Sequence, residues 1–330
     1  MKIKIYLSLA LLTIISIFAW QKYLAPTQKT DLSKKITTIG IIQFIEHPAL
    51  DQTRQGILDS LKENGYIDNK NARIHFESAQ GNSGLSAQII QKFVGQKVDI
   101  IVAIGTTTAQ AAKQATVESK TPVVFASVTD PVGAKLVDSM AVPGKNVTGV
   151  SNYISISKQF SFFKRILAHL KNIGVVYNPG EQNSVVMIDK MKEVADVFDL
   201  GIHTSPATKT SEVMSASQSL IHKSEAIFIN NDSTALSAID AVIKVGNERD
   251  IPVFVSDIDV LNKGALAALG PNQYELGKQA GIMIQRILSG ESPSKMTVEL
   301  PKKVFAKVNV AVSARLQIPY QSEKFESFGD

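Results

Sequence analysis

Cysteine is absent from all 330 residues. The chain can therefore hold no disulfide, no thiolate nucleophile, no cysteine metal site and no lipid-anchoring thiol. Phosphate and hydrolase signatures are missing too. There is no Gly-x-x-x-x-Gly-Lys-Ser/Thr loop, no Gly-x-Gly-x-x-Gly after the first apolar run, and no Gly-x-Ser-x-Gly elbow. Histidine is sparse, with five residues, of which His75, His169, His203 and His222 fall on strands or helix ends. Glu46-His47 is then half a metal site without a second half, and no metal or cofactor is expected. Charge of one sign is scarce as well. The net charge is +5, and Lys2, Lys4 and Lys22 supply three of those charges before the first acid, Asp31. Subtracting these three leaves about +2, and no basic run is interleaved with aromatics, which excludes a nucleic-acid footprint. Trp20 is the only tryptophan.

What is present is globular: 44% hydrophobic and 20% charged residues, in a length suited to two α/β domains. The N-terminus predicts a targeting segment over residues 1–25. Lys2 and Lys4 precede an apolar stretch, 5–20, interrupted only by Ser8, Thr13 and Ser16. Ala19 and Ala25 are candidate cleavage residues, although Ile17 and Tyr23 sit where small residues are preferred. The segment reads as a secretory signal or a retained anchor, and the location as periplasmic.

Apolar β-branched runs then alternate with amphipathic segments. Strands are expected at 36–43, 72–78, 98–104 and 122–126, with helices at 48–64, 84–95 and 106–117 between and after them. The segment 142–150, with Pro143-Gly144 and a short apolar exit, reads as a break. The pattern restarts with strands at 173–177, 202–205, 226–229, 252–255 and 265–269 and helices at 181–200, 211–222 and 234–247. A long helix, 273–288, is followed by extended pieces at 297–300 and 304–310 and a polar tail, 321–330. This serial βαβ pattern predicts an α/β fold with two parallel-sheet lobes.

In open parallel sheets ligands bind outside the carboxyl ends of strands. One such end is the most informative stretch of the chain. The run 98–104 is continuously apolar, and Gly105 and Thr106-Thr107-Thr108 follow it into a helix. A helix N-terminus presents unpaired amides and a positive dipole end, so hydroxyls beside it suit a carboxylate or another anion. Other predicted strand ends carry Gln43, Phe44, Glu46 and His47; Ser127, Val128 and Thr129; Asn152; Tyr177, Asn178 and Asn183; Asn231 and Asp232; and Ser256 and Asp257. Hydroxyls, amides and acids in this number suit a small zwitterion or polyol. Asp232-Ser233 and Ser256-Asp257 are equally explained as helix caps, and Asp130-Pro131 as turn chemistry.

These residues resemble the periplasmic binding proteins of ABC transporters, and within them the tryptophan- and tyrosine-type substrate-binding family. The resemblance covers about residues 36–319. It rests on Ile39-Gly40-Ile41-Ile42-Gln43-Phe44-Ile45-Glu46-His47-Pro48, Ala103-Ile104-Gly105-Thr106-Thr107, Phe125-Ala126-Ser127-Val128-Thr129-Asp130-Pro131, Asn146-Val147-Thr148-Gly149-Val150, Val176-Tyr177-Asn178-Pro179-Gly180-Glu181 and Asn230-Asn231-Asp232. It implies two Rossmann-like lobes of periplasmic-binding type I, joined by three crossovers near Val150, Gly270 and Lys295. The N-terminal lobe would comprise 36–150 plus 271–295, and the C-terminal lobe 151–270 plus 296–320. It also implies a non-catalytic receptor, a monomer, working with a membrane permease and an ATPase. Unlike many relatives, the chain lacks a lipobox cysteine.

By that resemblance Thr106 and Thr107 hold a ligand carboxylate and Ser127 and Thr129 complete the cup, with Gly105 and Val128 also counted among the ligand-binding residues. Asp257, Asp232 or Glu46 faces the ammonium, Asp257 being the first choice. Asn178, Asn183 and Asn231 close from the other lobe, while Gln43, Phe44 and Tyr177 contact the side chain. The ligand class implied is an aromatic or branched apolar amino acid. The alternatives are a sugar receptor, which usually wants a tryptophan sandwich, a membrane-anchored sensor for a kinase, and an enzyme.

Overall fold

The computed structural model describes residues 36–319. The expected targeting segment and the tail 321–330 lie outside the described residues. Two sheets organise the chain. The first has five parallel strands in the order β2-β1-β3-β4-β5: β1 Thr37–Gln43, β2 Ala72–Ser78, β3 Ile100–Ile104, β4 Val123–Val128 and β5 Val147–Ser151. The second has six strands: β6 Asn172–Tyr177, β7 Gly201–Pro206, β8 Ala226–Ile229, β9 Val253–Val255, β10 Ala267–Pro271 and β11 Val304–Val308. Its order is β11-β10-β9-β8-β6-β7, parallel except for the antiparallel edge strand β11. The five parallel strands of each sheet thus follow one winding order, with a reversal beside the first strand of each. Such reversals open a crevice at the carboxyl ends.

The inner strands of each sheet are buried on both faces, as β-branched runs without polar alternation require. In the first lobe Ile39, Ile41, Val102 and Ile104 pack on one side, and Ile42, Ile101, Ala103 and Phe125 on the other. Its helices are α1 Pro48–Glu63, α2 Ser83–Gly95 and α3 Thr106–Ala115. The second lobe is clothed by α4 Ile156–Ile166, α5 Gln182–Ala195, α6 Val213–Leu220, α7 Ser233–Ser237 and α8 Ile239–Glu248. The expected helix 234–247 is two, because Ala238 leaves helical geometry between α7 and α8.

Three passages join the lobes. The expected break at 142–150 contains β5, the last strand of the first sheet, and the chain leaves after it. The second passage leads from β10 into α9, Gln273–Leu288, which packs on the first lobe through Leu276, Ala280, Met283 and Ile284. Two glycines permit close approach there: a Cβ on Gly56 of α1 would lie 2.0 Å from the Tyr274 carbonyl oxygen, and one on Gly277 of α9 2.1 Å from that of Thr53. The third passage falls after Glu299 rather than near Lys295. The Glu299 amide donates to Gly149 and the Ser151 amide to Glu299, so 296–299 lies against the edge of the first sheet. Residues 304–310 then form β11 and begin α10, Val310–Arg315. Among the described residues no helix is long and apolar enough to cross a membrane.

Candidate functional site

A narrow cavity lies between the carboxyl ends of the two sheets. From the first lobe it is lined by His47 after β1, Gly105 and Thr106 after β3, Ser127 in β4 and Asn152 after β5. From the second lobe come Asn183 after β6, Asn231, Ser233 and Leu236 after β8, and Asp257 after β9. Gln273, at the start of the α9 crossover, Ala49 and Leu50 complete it. The lining contains no lysine, arginine, phenylalanine, tyrosine or tryptophan, and Asp257 is its one carboxylate.

Local backbone geometry sets the first-lobe wall. Gly105 has φ 99° and ψ 155°, a region that side chains exclude, and this sharp turn starts α3 directly at the cavity. Gly105 is the N-cap and brings no side chain to the first amides, which leaves them available to an anion. The three threonines separate. Thr106 is buried against the cavity, Thr107 is half-buried outside its lining, and the Thr108 hydroxyl turns back to the Ile104 and Gly105 carbonyls, 2.9 Å from each. Ser127 sits at a bulge of β4 with φ 55°. That strained conformation directs its hydroxyl to Gln273 Oε1 at 2.8 Å and to the Thr53 hydroxyl at 2.8 Å. Gln273 Nε2 in turn donates to Asp257. A buried chain of hydrogen bonds therefore runs from the first lobe through the crossover helix to the acid of the second.

The second-lobe wall is built differently. Glu181 and Asp232 are both buried and both aim at the start of α7. Glu181 accepts from the Ser233 amide, the Thr234 amide and the Thr234 hydroxyl at 2.7–2.9 Å. Asp232 accepts from the Ala235 amide at 2.7 Å and the Asn178 amide at 2.6 Å. Asn178 also donates to the Thr234 hydroxyl, and Asn183 to the Asn231 carbonyl at 2.7 Å. Asn231 accepts from Ser256 at 2.7 Å and reaches over the cleft to Thr129 and Asn152 of the first lobe at 3.3 and 3.4 Å. At the rim, Lys190 on α5 pairs with Asp130 of the first lobe at 3.5 Å.

Burial governs the titration of the site. It pushes Asp257 up to about 7, against the opposing Gln273 hydrogen bond. It likewise pushes Asp232 up to about 7, aided by the Glu181 carboxylate. His47 is driven down to about 3 by burial, so its imidazole is neutral at physiological pH. Among the described residues neither of its ring nitrogens has a hydrogen-bond partner.

Of the residues expected from sequence, Gly105, Thr106, Ser127, Asn183, Asn231 and Asp257 meet at this cavity. Gln43, Phe44, Glu46, Thr107, Val128, Thr129, Tyr177, Asn178 and Asp232 are not in its lining. Gln43 is buried and donates to Asp51 and to the Ile45 carbonyl, whereas Glu46 is exposed. Phe44 and Val128 belong to the apolar core. Thr129 donates to Asn152 just behind the lining, and Tyr177 packs against the second-lobe core. His47 and Gln273 carry more of the geometry than the sequence suggested. The signal for His47 was its place: it is the N-cap of α1 and makes no side-chain cap bond, where Ser, Thr, Asp or Asn would.

The family described as ABC transporter substrate binding protein matches residues 38–326. A tyrosine-binding protein of Clostridioides difficile (strain R20291) is 39% identical over 276 residues, 82% of this chain and 78% of that protein. The crystal structure of an ABC domain in complex with L-Trp, from Streptococcus pneumonia, is 31% identical, with a TM-score of 0.83 over 87% of this chain and 96% of that one. The ligand-free, open structure of a substrate-binding protein with adhesive properties from Clostridium difficile is 36% identical over 88% of this chain and 98% of that one, with a TM-score of 0.67. The higher score against the liganded structure accords with the contacts between Asn231, Thr129 and Asn152 that close the cleft here.

Proposed function

Since the chain belongs to the ABC transporter substrate-binding protein family, a family of extracytoplasmic binders, we propose that it captures an aromatic amino acid in the cleft between its lobes and hands it to an ABC permease for import. The observation that carries this reading is the charge pattern of the lining: one buried carboxylate, Asp257, and otherwise neutral donors around the start of α3. A phosphate or dicarboxylate would face that carboxylate with no cation to offset it. A zwitterion matches this charge pattern, its ammonium on Asp257 and its carboxylate on Thr106 and the α3 amides. Ala49, Leu50 and Leu236 supply apolar surface for the side chain.

The names of the relatives point the same way, to tyrosine in one and L-Trp in another. A sugar would want an aromatic platform, and the lining has none. Binding without catalysis is the matching role: the two raised acids are either hydrogen-bonded to Gln273 or spent on capping α7. Native mass spectrometry of the protein as purified, followed by calorimetry against the twenty amino acids and a set of sugars, tests the proposal. Tight binding of tyrosine, tryptophan or phenylalanine is expected. Binding of a sugar, with none of the amino acids, overturns it.

A further inference from the structure

A buried imidazole with no partner is expensive, since each unpaired polar atom forfeits its water without return. His47 is 4% exposed, lines the cleft, and leaves both Nδ1 and Nε2 unpartnered. It does not cap the helix it begins. The residues that follow it into the lining, Ala49 and Leu50, are apolar. Several other polar lining groups already have protein partners: Asp257 and Gln273 bond each other, Ser127 bonds Gln273, and Asn231 accepts from Ser256.

We propose that His47 is the specificity-determining residue of the cleft, its neutral imidazole accepting a hydrogen bond from an O–H or N–H carried on the ligand's aromatic ring. This rests on the amino-acid reading above and deepens it. A phenol or an indole satisfies the lone pair of the imidazole, whereas a plain phenyl ring leaves it unpaired in a dry site. Burial keeps the ring neutral, down to about pH 3, so the lone pair is available across the physiological range. Sites built around a buried hydrogen-bonding group reject analogues that lack its partner far more strongly than apolar pockets reject a missing methylene.

The test is calorimetry of ligand-stripped protein with two matched pairs: tyrosine against phenylalanine, and tryptophan against its benzothiophene isostere, which has no N–H. The wild type should prefer the hydroxyl- or N–H-bearing member of at least one pair by about tenfold or more. His47→Phe should erase that preference by weakening the donor-bearing ligand while sparing its partner, and His47→Gln should restore part of it. An equal loss for both members, or no change, overturns the assignment. So does a wild type without the preference. Imidazole nitrogen NMR on the unmutated protein gives an answer even where a variant fails to fold: one ring nitrogen of His47 should shift with the donor-bearing ligand and not with its isostere, and equal shifts overturn the proposal. A wild type that binds none of these amino acids defeats the ligand class itself, a result distinct from binding without discrimination.

Discussion

The two walls of the cleft use the same residue types in opposite ways. On the second lobe, Glu181, Asp232, Asn178 and Thr234 are bonded to one another and to backbone amides around the start of α7. On the first lobe, His47 has no hydrogen-bond partner among the described residues, and Gly105 opens α3 without a capping side chain. Polar groups that satisfy each other stabilise a shape; polar groups left unsatisfied at a cavity wait for a ligand. The same distinction, drawn within the second lobe, separates two acids that composition alone makes identical. Asp232 holds the wall together, and Asp257 faces the cavity.

Substitutions should divide along this line. Glu181→Gln turns an acceptor oxygen into a donor facing the amides of Ser233 or Thr234, and should cost about 3 kcal/mol of stability, read as a fall in melting temperature of the ligand-free protein. Asp257→Asn should instead weaken the amino-acid ligand by about 100-fold through loss of the buried charge pair, with the ligand-free protein no less stable at pH 7. If Asp257→Asn melts early and binds normally, the contrast between the acids is reversed.

Acidity gives the next test. Asp257 has a folded-state value of about 7 against an ordinary 3.8. An ammonium ligand needs it ionised, so binding below pH 7 must expel a proton. Affinity should therefore fall about 25-fold between pH 7.5 and pH 5.5, and calorimetry in buffers of different ionisation heat should show the proton release. Asp257→Asn should flatten this profile. The stability of the empty protein runs the other way. Because folding raises the values of Asp257 and Asp232, their contribution is present below about pH 4 and lost as pH rises through about 7. Smaller effects belong to the threonines. Thr106→Ala should cost about tenfold in affinity, whereas Thr107→Ala should change affinity by less than about 0.5 kcal/mol. Equal losses at both would show that the hydroxyl run acts as a unit.

Much of the fold was legible because the inner parallel strands are buried on both faces and read as continuous apolar runs, spaced regularly by amphipathic segments. The strands 72–78 and 226–229 and the helix 273–288 coincide with the structure. The strand β5 was hidden by the Pro143-Gly144 turn before it. The helix α4 passed unread although Ile156, Phe160, Phe163 and Ile166 recur at helical spacing; Phe163 stacks on Phe254 at 4.2 Å between centroids. In the site, strand ends could be read but side-chain directions could not. The back-bonding of Thr108 and the positive φ of Ser127 decide which hydroxyls reach the cavity, and neither has a periodic signature. Gln273 was invisible for a further reason: its partners Ser127 and Thr53 lie 146 and 220 positions away.

The interlock of Gly56 with Gly277 has a mechanical consequence. With a facing carbonyl where each Cβ would be, α1 and α9 cannot roll or slide apart, so α9 travels as a rigid spar of the first lobe. Any swing of the lobes must bend the chain outside that spar, at Pro271–Asn272 on one side and beyond Glu299 on the other, and in the passage after β5. Gln273 stands at the root of the spar and Asp257 across the bend. A swing therefore loads the Gln273–Asp257 bond along with the Asn231 and Lys190 contacts across the cleft, so the acid sits beside the joint that bends.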